Sequence, residues 1–263
     1  MARVIVIANQ KGGVGKTTTS ISLAAGLARL GQNVLLVDLD PQGNATTGSG
    51  VDKQAIGGSS LEVLLGSAGI ADALLQGLPG GYDLLPGNGA LTAAEVALLG
   101  EEGGQLRLRQ ALQSVRQRYD QIILDCPPSL SMLTVNALVA ADGILVPIQC
   151  EYYALEGLSA LLETIERIRN TFNPALAVDG FLRTMFDGRN HLAQDVSEQL
   201  QAHFGDQVLA TLIPRNVRLA EAPSHGLPIF QYDPLSRGAL AHAALAREVL
   251  QRQGIPLSEQ EMA

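Results

Sequence analysis

Seven short apolar runs, most of them rich in β-branched residues, recur along the chain at positions 4–8, 34–37, 84–85, 122–124, 144–148, 181–185 and 208–213. Between them lie longer segments whose apolar positions repeat at helical spacing: 17–30, 106–118, 130–140, 155–172, 192–204 and 237–253, the last closing at Gly254 with Pro256 beyond it. Continuous apolar runs alternating with helices predict an α/β fold, a mostly parallel, twisted sheet with helices on both faces. Ligands of such open sheets bind at the carboxyl ends of the strands. The stretch 48–81 breaks the pattern: rich in Gly and Ser, it reads as surface loops around one short helix near 61–65.

With 263 residues, 46% of them hydrophobic, the chain can bury one large core, and no linker divides it, so residues 1–263 are expected to form a single domain. No apolar run approaches the ~18 residues of a membrane span. Met1 leads straight into the first strand, which begins near Arg3, leaving room for neither a leader nor an N-terminal helix-turn-helix domain; a cytoplasmic location is expected. Cys126 and Cys150 each adjoin a strand-like run and read as buried thiols rather than a disulfide or metal site. A net charge of −8 argues against a surface that traps nucleic acid all over, while leaving room for a local basic patch.

Directly after the first apolar run stands Lys11-Gly12-Gly13-Val14-Gly15-Lys16-Thr17-Thr18, and directly after that a helical segment. A strand that ends in a glycine-rich turn and feeds a helix aims several backbone N–H groups and the positive end of the helix dipole at one point, where an anion belongs. Glycines 12, 13 and 15 let the backbone approach phosphates, Lys16 can reach the β- and γ-phosphates, and the Thr17 hydroxyl is placed for Mg2+. The usual phosphate loop would carry Gly where this chain has Gln10; this one carries a second lysine, Lys11, instead.

Three carboxylates stand at strand ends. Asp38 and Asp40 lie in Val37-Asp38-Leu39-Asp40-Pro41-Gln42-Gly43-Asn44, and Asp125 in Ile122-Ile123-Leu124-Asp125-Cys126-Pro127-Pro128-Ser129. A nucleotide-bound Mg2+ needs such acids nearby, directly or through water. Asp125, after a run of apolar residues, has the form of a Walker B aspartate; Asp40, on a loop rich in Pro, Gly and Asn, could orient an attacking water.

These blocks, with Gln149-Cys150-Glu151-Tyr152-Tyr153-Ala154-Leu155-Glu156-Gly157 and the Ile213–Gly226 region, resemble the ParA/Soj chromosome-partition ATPases. That family belongs to the deviant Walker A class, with the division regulator MinD and the nitrogenase iron protein. The resemblance implies a switch in which two subunits sandwich ATP and Lys11 reaches the partner's nucleotide, so that hydrolysis loosens the dimer. It implies catalytic roles for Lys11, Lys16 and Asp40; nucleotide contacts from residues Lys11 to Thr18 (Gly12, Gly13, Val14, Gly15 and Thr17 among them) and, at the adenine, from Pro214 and Asn216; and Mg2+ supported by Thr17, Asp38 and Asp125. It further implies that the ATP-bound homodimer grips duplex DNA without sequence preference through Arg189, Arg215 and Arg218, placing the protein on the nucleoid, and that a ParB-type centromere-binding protein stimulates hydrolysis. The rival within the class is an ATPase that positions another cargo, such as a chemoreceptor array or a microcompartment. A membrane switch would need a basic amphipathic tail, whereas residues 253–263 are acidic and broken by Pro256. An iron–sulfur reductase would need cysteines placed for a shared cluster, and a tyrosine autokinase a terminal tyrosine cluster; no tyrosine follows Tyr232.

Overall fold

A computed structural model of the chain describes residues 1–257, without the side chains of Leu155 and Glu156. The seven runs become seven strands: β1 (Arg3–Ile7), β2 (Val34–Asp38), β3 (Asp83–Leu85), β4 (Gln121–Asp125), β5 (Gly143–Gln149), β6 (Ala177–Phe186) and β7 (Val208–Pro214). They form one sheet in the order β3-β2-β4-β1-β5-β6-β7, with every neighbouring pair parallel. Twelve α-helices are described: α1 (Lys16–Arg29), α2 (Asn44–Gly48), α3 (Ser60–Leu64), α4 (Ile70–Ala73), α5 (Leu91–Leu99) and α6 (Arg107–Gln113), then α7 (Met132–Ala140), α8 (Ala154–Thr171), α9 (His191–Phe204), α10 (Val217–Glu221), α11 (Ile229–Tyr232) and α12 (Arg237–Arg252).

Why the strands read as unbroken apolar runs is visible in β1. Val4 and Val6 join one hydrophobic cluster, with residues of α5 to α9; Ile5 and Ile7 join another, with α1, α11 and α12. Alternate side chains therefore face two dry layers, and neither face of the strand has room for polar positions.

The expected helix 106–118 is shorter, a 3-10 turn at Gly104–Leu106 followed by α6, and the expected helix from 130 starts two residues later, where the Ser131 side chain accepts the Leu133 N–H. Within 48–81 the expected helix is α3, opened by a capping box between Ser59 and Glu62, and α4 follows it. No helix of the described residues is long and apolar enough to cross a membrane. Of the tail 253–263, residues 258–263 lie outside the described residues.

The sheet's outer strand β7 does not present a bare edge. Glu248 on α12 accepts the N–H groups of Ala210 and Thr211, both at 2.8 Å, and Arg252 donates to the carbonyls of Asp206 (2.7 Å) and Val208 (3.2 Å).

Candidate active site

The glycine-rich loop joins β1 to α1 at the carboxyl end of the central strand. Gly13 (φ 75°) and Gly15 (φ 88°) are left-handed, a region that L side chains enter only under strain. A Cβ on Gly12 or Gly13 would meet nothing within 4 Å, so the outer face of the loop is open. Both halves of the loop are pinned to neighbouring strands. Asn9 donates its Nδ2 to the Pro147 carbonyl (2.7 Å) and accepts the Lys11 N–H at its Oδ1 (3.0 Å), while Thr184 Oγ1 donates to the Val14 carbonyl (2.8 Å). No side chain caps α1 at Gly15, which leaves its first amides available to an anion. Lys16 is buried, its Nζ donating to the Lys11 carbonyl (3.1 Å); burial lowers its pKa, and Asp125 is the first of the charges that oppose this.

Asp38 and Asp125 end adjacent strands in direct register. Thr17 Oγ1 donates to Asp125 Oδ2 (2.9 Å) and Ser20 Oγ to Asp125 Oδ1 (2.7 Å), so two hydroxyls of α1 hold this carboxylate under the loop. Asp38 is held differently: its Oδ1 accepts the Asp40 N–H (3.1 Å), and its Oδ2 accepts both the N–H (2.8 Å) and the hydroxyl (2.7 Å) of Thr46. Burial, and then the neighbouring Asp38, pushes Asp125 up to about 8; burial likewise pushes Asp38 up to about 6. Asp40 is buried on the loop after β2 and turns it, with Oδ1 accepting the Gln42 N–H (2.9 Å).

Two fully buried carboxylates side by side form a place where positive charge is wanted. Yet among the described residues no group of three or more His, Cys, Asp or Glu side chains is arranged to hold a metal ion alone. An ion here has to arrive with ligands of its own, as Mg2+ does when it carries phosphates and waters. The oxygens of Thr17 and Asp125, beside an open loop of amides, fit that case.

Lys11 stands apart from Lys16. Its ammonium donates to Glu151 Oε2 at 2.6 Å, in the turn after β5, next to the exposed Tyr152 and Tyr153. The sequence marks Glu151 only as part of a motif and points to no role for Asn9, Ser20 or Thr184. The glycine pattern marks the loop, but nothing local marks the distant side chains that hold it.

On the far side of Gly15 and Thr18 opens a cavity of about 290 Å3, lined chiefly by apolar groups of Met185, Ile213, Pro214, Val217 and Leu219. Met185 has a positive φ of 49°, a strained setting for a non-glycine residue at a ligand-sized cavity. Pro214 and Asn216 both line this cavity, and the Asn216 Oδ1 is engaged in accepting the Arg218 N–H (2.8 Å) as the cap of α10. Beneath them lies His242, fully buried, with Nδ1 on the Gly238 carbonyl (2.9 Å) and Nε2 without a partner.

The three arginines expected to touch DNA lie near this end. Arg189 is exposed and forks onto Asp187 through Nε (2.9 Å) and an NH2 group (2.8 Å). Arg218 on α10 pairs with Glu221 (2.9 Å) and lies 3.4 Å from Asp233, and Arg215 is exposed at the cavity rim. Ion pairs in such exposed places are weak and can be exchanged for a phosphate.

Residues 2–178 match the family model described as an AAA domain. The chain is 54% identical over 253 residues to the chromosome-partitioning ATPase Soj of Thermus thermophilus, covering 95% of this chain and 96% of that one. It is 49% identical over 249 residues to the sporulation initiation inhibitor protein Soj of Bacillus subtilis, covering 95% and 98%. Among solved structures, cobyrinic acid a,c-diamide synthase from Mycobacterium smegmatis with bound ADP and magnesium superposes with a TM-score of 0.85 at 39% identity, covering 97% of this chain and 96% of that one.

Proposed function

Since the chain belongs to the ParA/Soj family of chromosome-partitioning ATPases, we propose that it is a Mg2+-dependent ATP switch for chromosome or plasmid partition, dimeric with ATP and released by hydrolysis. The observation that carries this reading is the division of labour between two lysines. Lys16 lies buried inside the loop, where it offsets the phosphates of its own subunit's nucleotide, whereas Lys11 points its ammonium outward to Glu151 and is available for exchange. A second ammonium arriving from outside makes the γ-phosphate part of the subunit interface. Loss of that phosphate removes the contact.

In this reading the amides of residues 12–18 cradle the phosphates, and the cavity beside Pro214 and Asn216 takes the adenine. When bound, Mg2+ spreads the phosphate charge, with the Thr17 hydroxyl as its ligand and Asp125 and Asp38 as the nearby acids. Asp40 orients the attacking water. Arg189, Arg215 and Arg218 contact the backbone of duplex DNA, a sequence-independent grip that places the ATP-bound form on the nucleoid. A ParB-type partner stimulates hydrolysis.

The test is light scattering with ATP and Mg2+, in parallel with retention on unrelated DNA duplexes. Wild type should dimerise and bind, while Lys11→Ala should bind ATP yet remain monomeric and lose DNA. A Lys11→Ala protein that still dimerises and holds DNA as wild type does would remove Lys11 from the switch.

A further inference from the structure

Helix α2 begins without a side-chain cap, because its N-cap residue is Gly43. The amide of Thr46, in its first turn, has no acceptor within the helix, because the carbonyl one turn earlier, that of Gln42, lies before the N-cap. The donor is taken up from eight residues back: Asp38 Oδ2 accepts the Thr46 N–H, and so a carboxylate at the end of β2 caps the helix that follows the Asp40 loop.

Any residue but proline at position 46 could supply that N–H. Threonine adds something the cap does not need. Its hydroxyl donates to the same Asp38 oxygen (2.7 Å) and accepts the Gly87 N–H (2.8 Å) from the loop after β3. Gly87 lies so close that a Cβ there would sit 2.6 Å from the Asp38 carbonyl oxygen and 3.1 Å from its Cγ. Three segments therefore meet on one fully buried hydroxyl: the end of β2, the loop carrying Asp40, and the loop after β3. Asp38 closes the arrangement by accepting the N–H of Asp40 itself (3.1 Å).

We propose that Thr46 is a positioning residue for ATP hydrolysis, its hydroxyl tying Asp38 to Gly87 so that the intervening loop presents Asp40 in one fixed place. The proposal rests on the reading of Asp40 as the group that orients the attacking water. A carboxylate in that role is sensitive to small displacements, because a misplacement of ~1 Å can cost on the order of a hundredfold in rate. Thr46 touches neither nucleotide nor water in this account; it acts through Asp38 and the loop.

The experiment compares Thr46→Val, Thr46→Ser, Asp40→Ala and Ser49→Ala in the full chain. Ser49 is the control. It is an equally buried hydroxyl just beyond α2, bonded to the Tyr82 hydroxyl (2.7 Å) and the Ala45 carbonyl (2.7 Å) rather than to Asp38. Phosphate release with ATP and Mg2+, ADP affinity by calorimetry, thermal unfolding and amide exchange of nucleotide-free protein are measured for each. Thr46→Val should keep ADP affinity within about twofold, lower phosphate release by about tenfold or more, and speed exchange across residues 38–47. Thr46→Ser should restore both. Ser49→Ala should lower the melting temperature while leaving the rate and the exchange of 38–47 as in wild type. Should valine at 46 prevent folding, Thr46→Ala removes the hydroxyl without added bulk and serves the same comparison. Wild-type phosphate release and exchange in the hydroxyl-free variant, with Asp40→Ala inactive, would overturn the role of Thr46 and leave that of Asp40 standing. Undiminished hydrolysis by Asp40→Ala would overturn the reading of Asp40, and with it the proposal.

Discussion

The glycine-loop end of the cleft, proposed to take the phosphates, and the Pro214 end, proposed to take the base, are built by opposite means. Under the glycine-rich loop, Lys16, Asp38 and Asp125 are all buried, and hydroxyls and amides from α1, α2 and the loop after β2 take up the carboxylate oxygens. At the other end the wall is mostly apolar, with the buried Thr184 and His242 among it, and the nearby strands β6 and β7 pair with register shifts where β1 and β4 pair without one. The contrast follows from chemistry. Charge can be buried only when every partner is in place, which demands rigid strand ends; a flat aromatic base asks for little more than a slot of the right size.

The largest effect that sharpens this comparison comes from the phosphate end. Lys16→Ala should weaken nucleotide binding by at least about thirtyfold, the ~2 kcal/mol or more that a hydrogen bond to a charged group is worth. Calorimetry with ATP would decide it, and unchanged affinity would dismantle the assignment of the loop.

A second effect belongs to the buried acids. Burial and the neighbouring Asp38 raise the pKa of Asp125, so the folded nucleotide-free protein holds this proton to higher pH than the unfolded chain does. The folded form then binds more protons, and stability falls as pH rises toward 8. The window from about pH 6.5 to 8 avoids His242, whose imidazole burial pushes down to about 4 and which acts in the opposite sense at lower pH. The melting temperature of nucleotide-free protein should drop across that window, and Mg2+ with ADP should flatten the slope. A melting temperature that climbs with pH would show that the acids are not protonated.

Smaller changes are expected at the base end. Asn216→Ala should cost about 1 kcal/mol of stability through the lost cap of α10, with at most a few-fold change in ADP affinity. A collapse of nucleotide binding in that variant would mean that this end recognises the base as strictly as the other recognises phosphate. Smaller still is Arg218→Ala, which should leave ADP binding and dimerisation intact, weaken unrelated duplexes alike, and flatten the log–log salt dependence by ~2 for a symmetric dimer. Loss of the dimer itself would place Arg218 at the subunit interface.

The same division decided what could be read from the chain. The loop, Asp40 and Asp125 were legible because strand, turn glycines and acid follow one another within a few residues, and the parallel sheet was legible because both of its faces are dry. The hydrogen bonds of Asn9 to Pro147 and of Thr184 to Val14 join positions more than 130 residues apart, so no local pattern signals them. Helix α5, Leu-Thr-Ala-Ala-Glu-Val-Ala-Leu-Leu, went unpredicted because it is apolar on nearly every side, with Val96 and Leu99 exposed and no polar face to set a period. Helices α10 and α11 are too short to show one.

The side chains that sheathe β7 bear on how copies of this chain can meet. An open strand edge is a standing invitation to pair backbone with backbone, and such pairing is indifferent to whether a nucleotide is present. By taking up the Ala210 and Thr211 N–H groups and the Val208 carbonyl, Glu248 and Arg252 blunt that route along the first half of β7. Pairing there would ignore the state of the cleft; with those groups already bonded within the chain, a second copy would have to displace Glu248 and Arg252 to add a strand at that stretch.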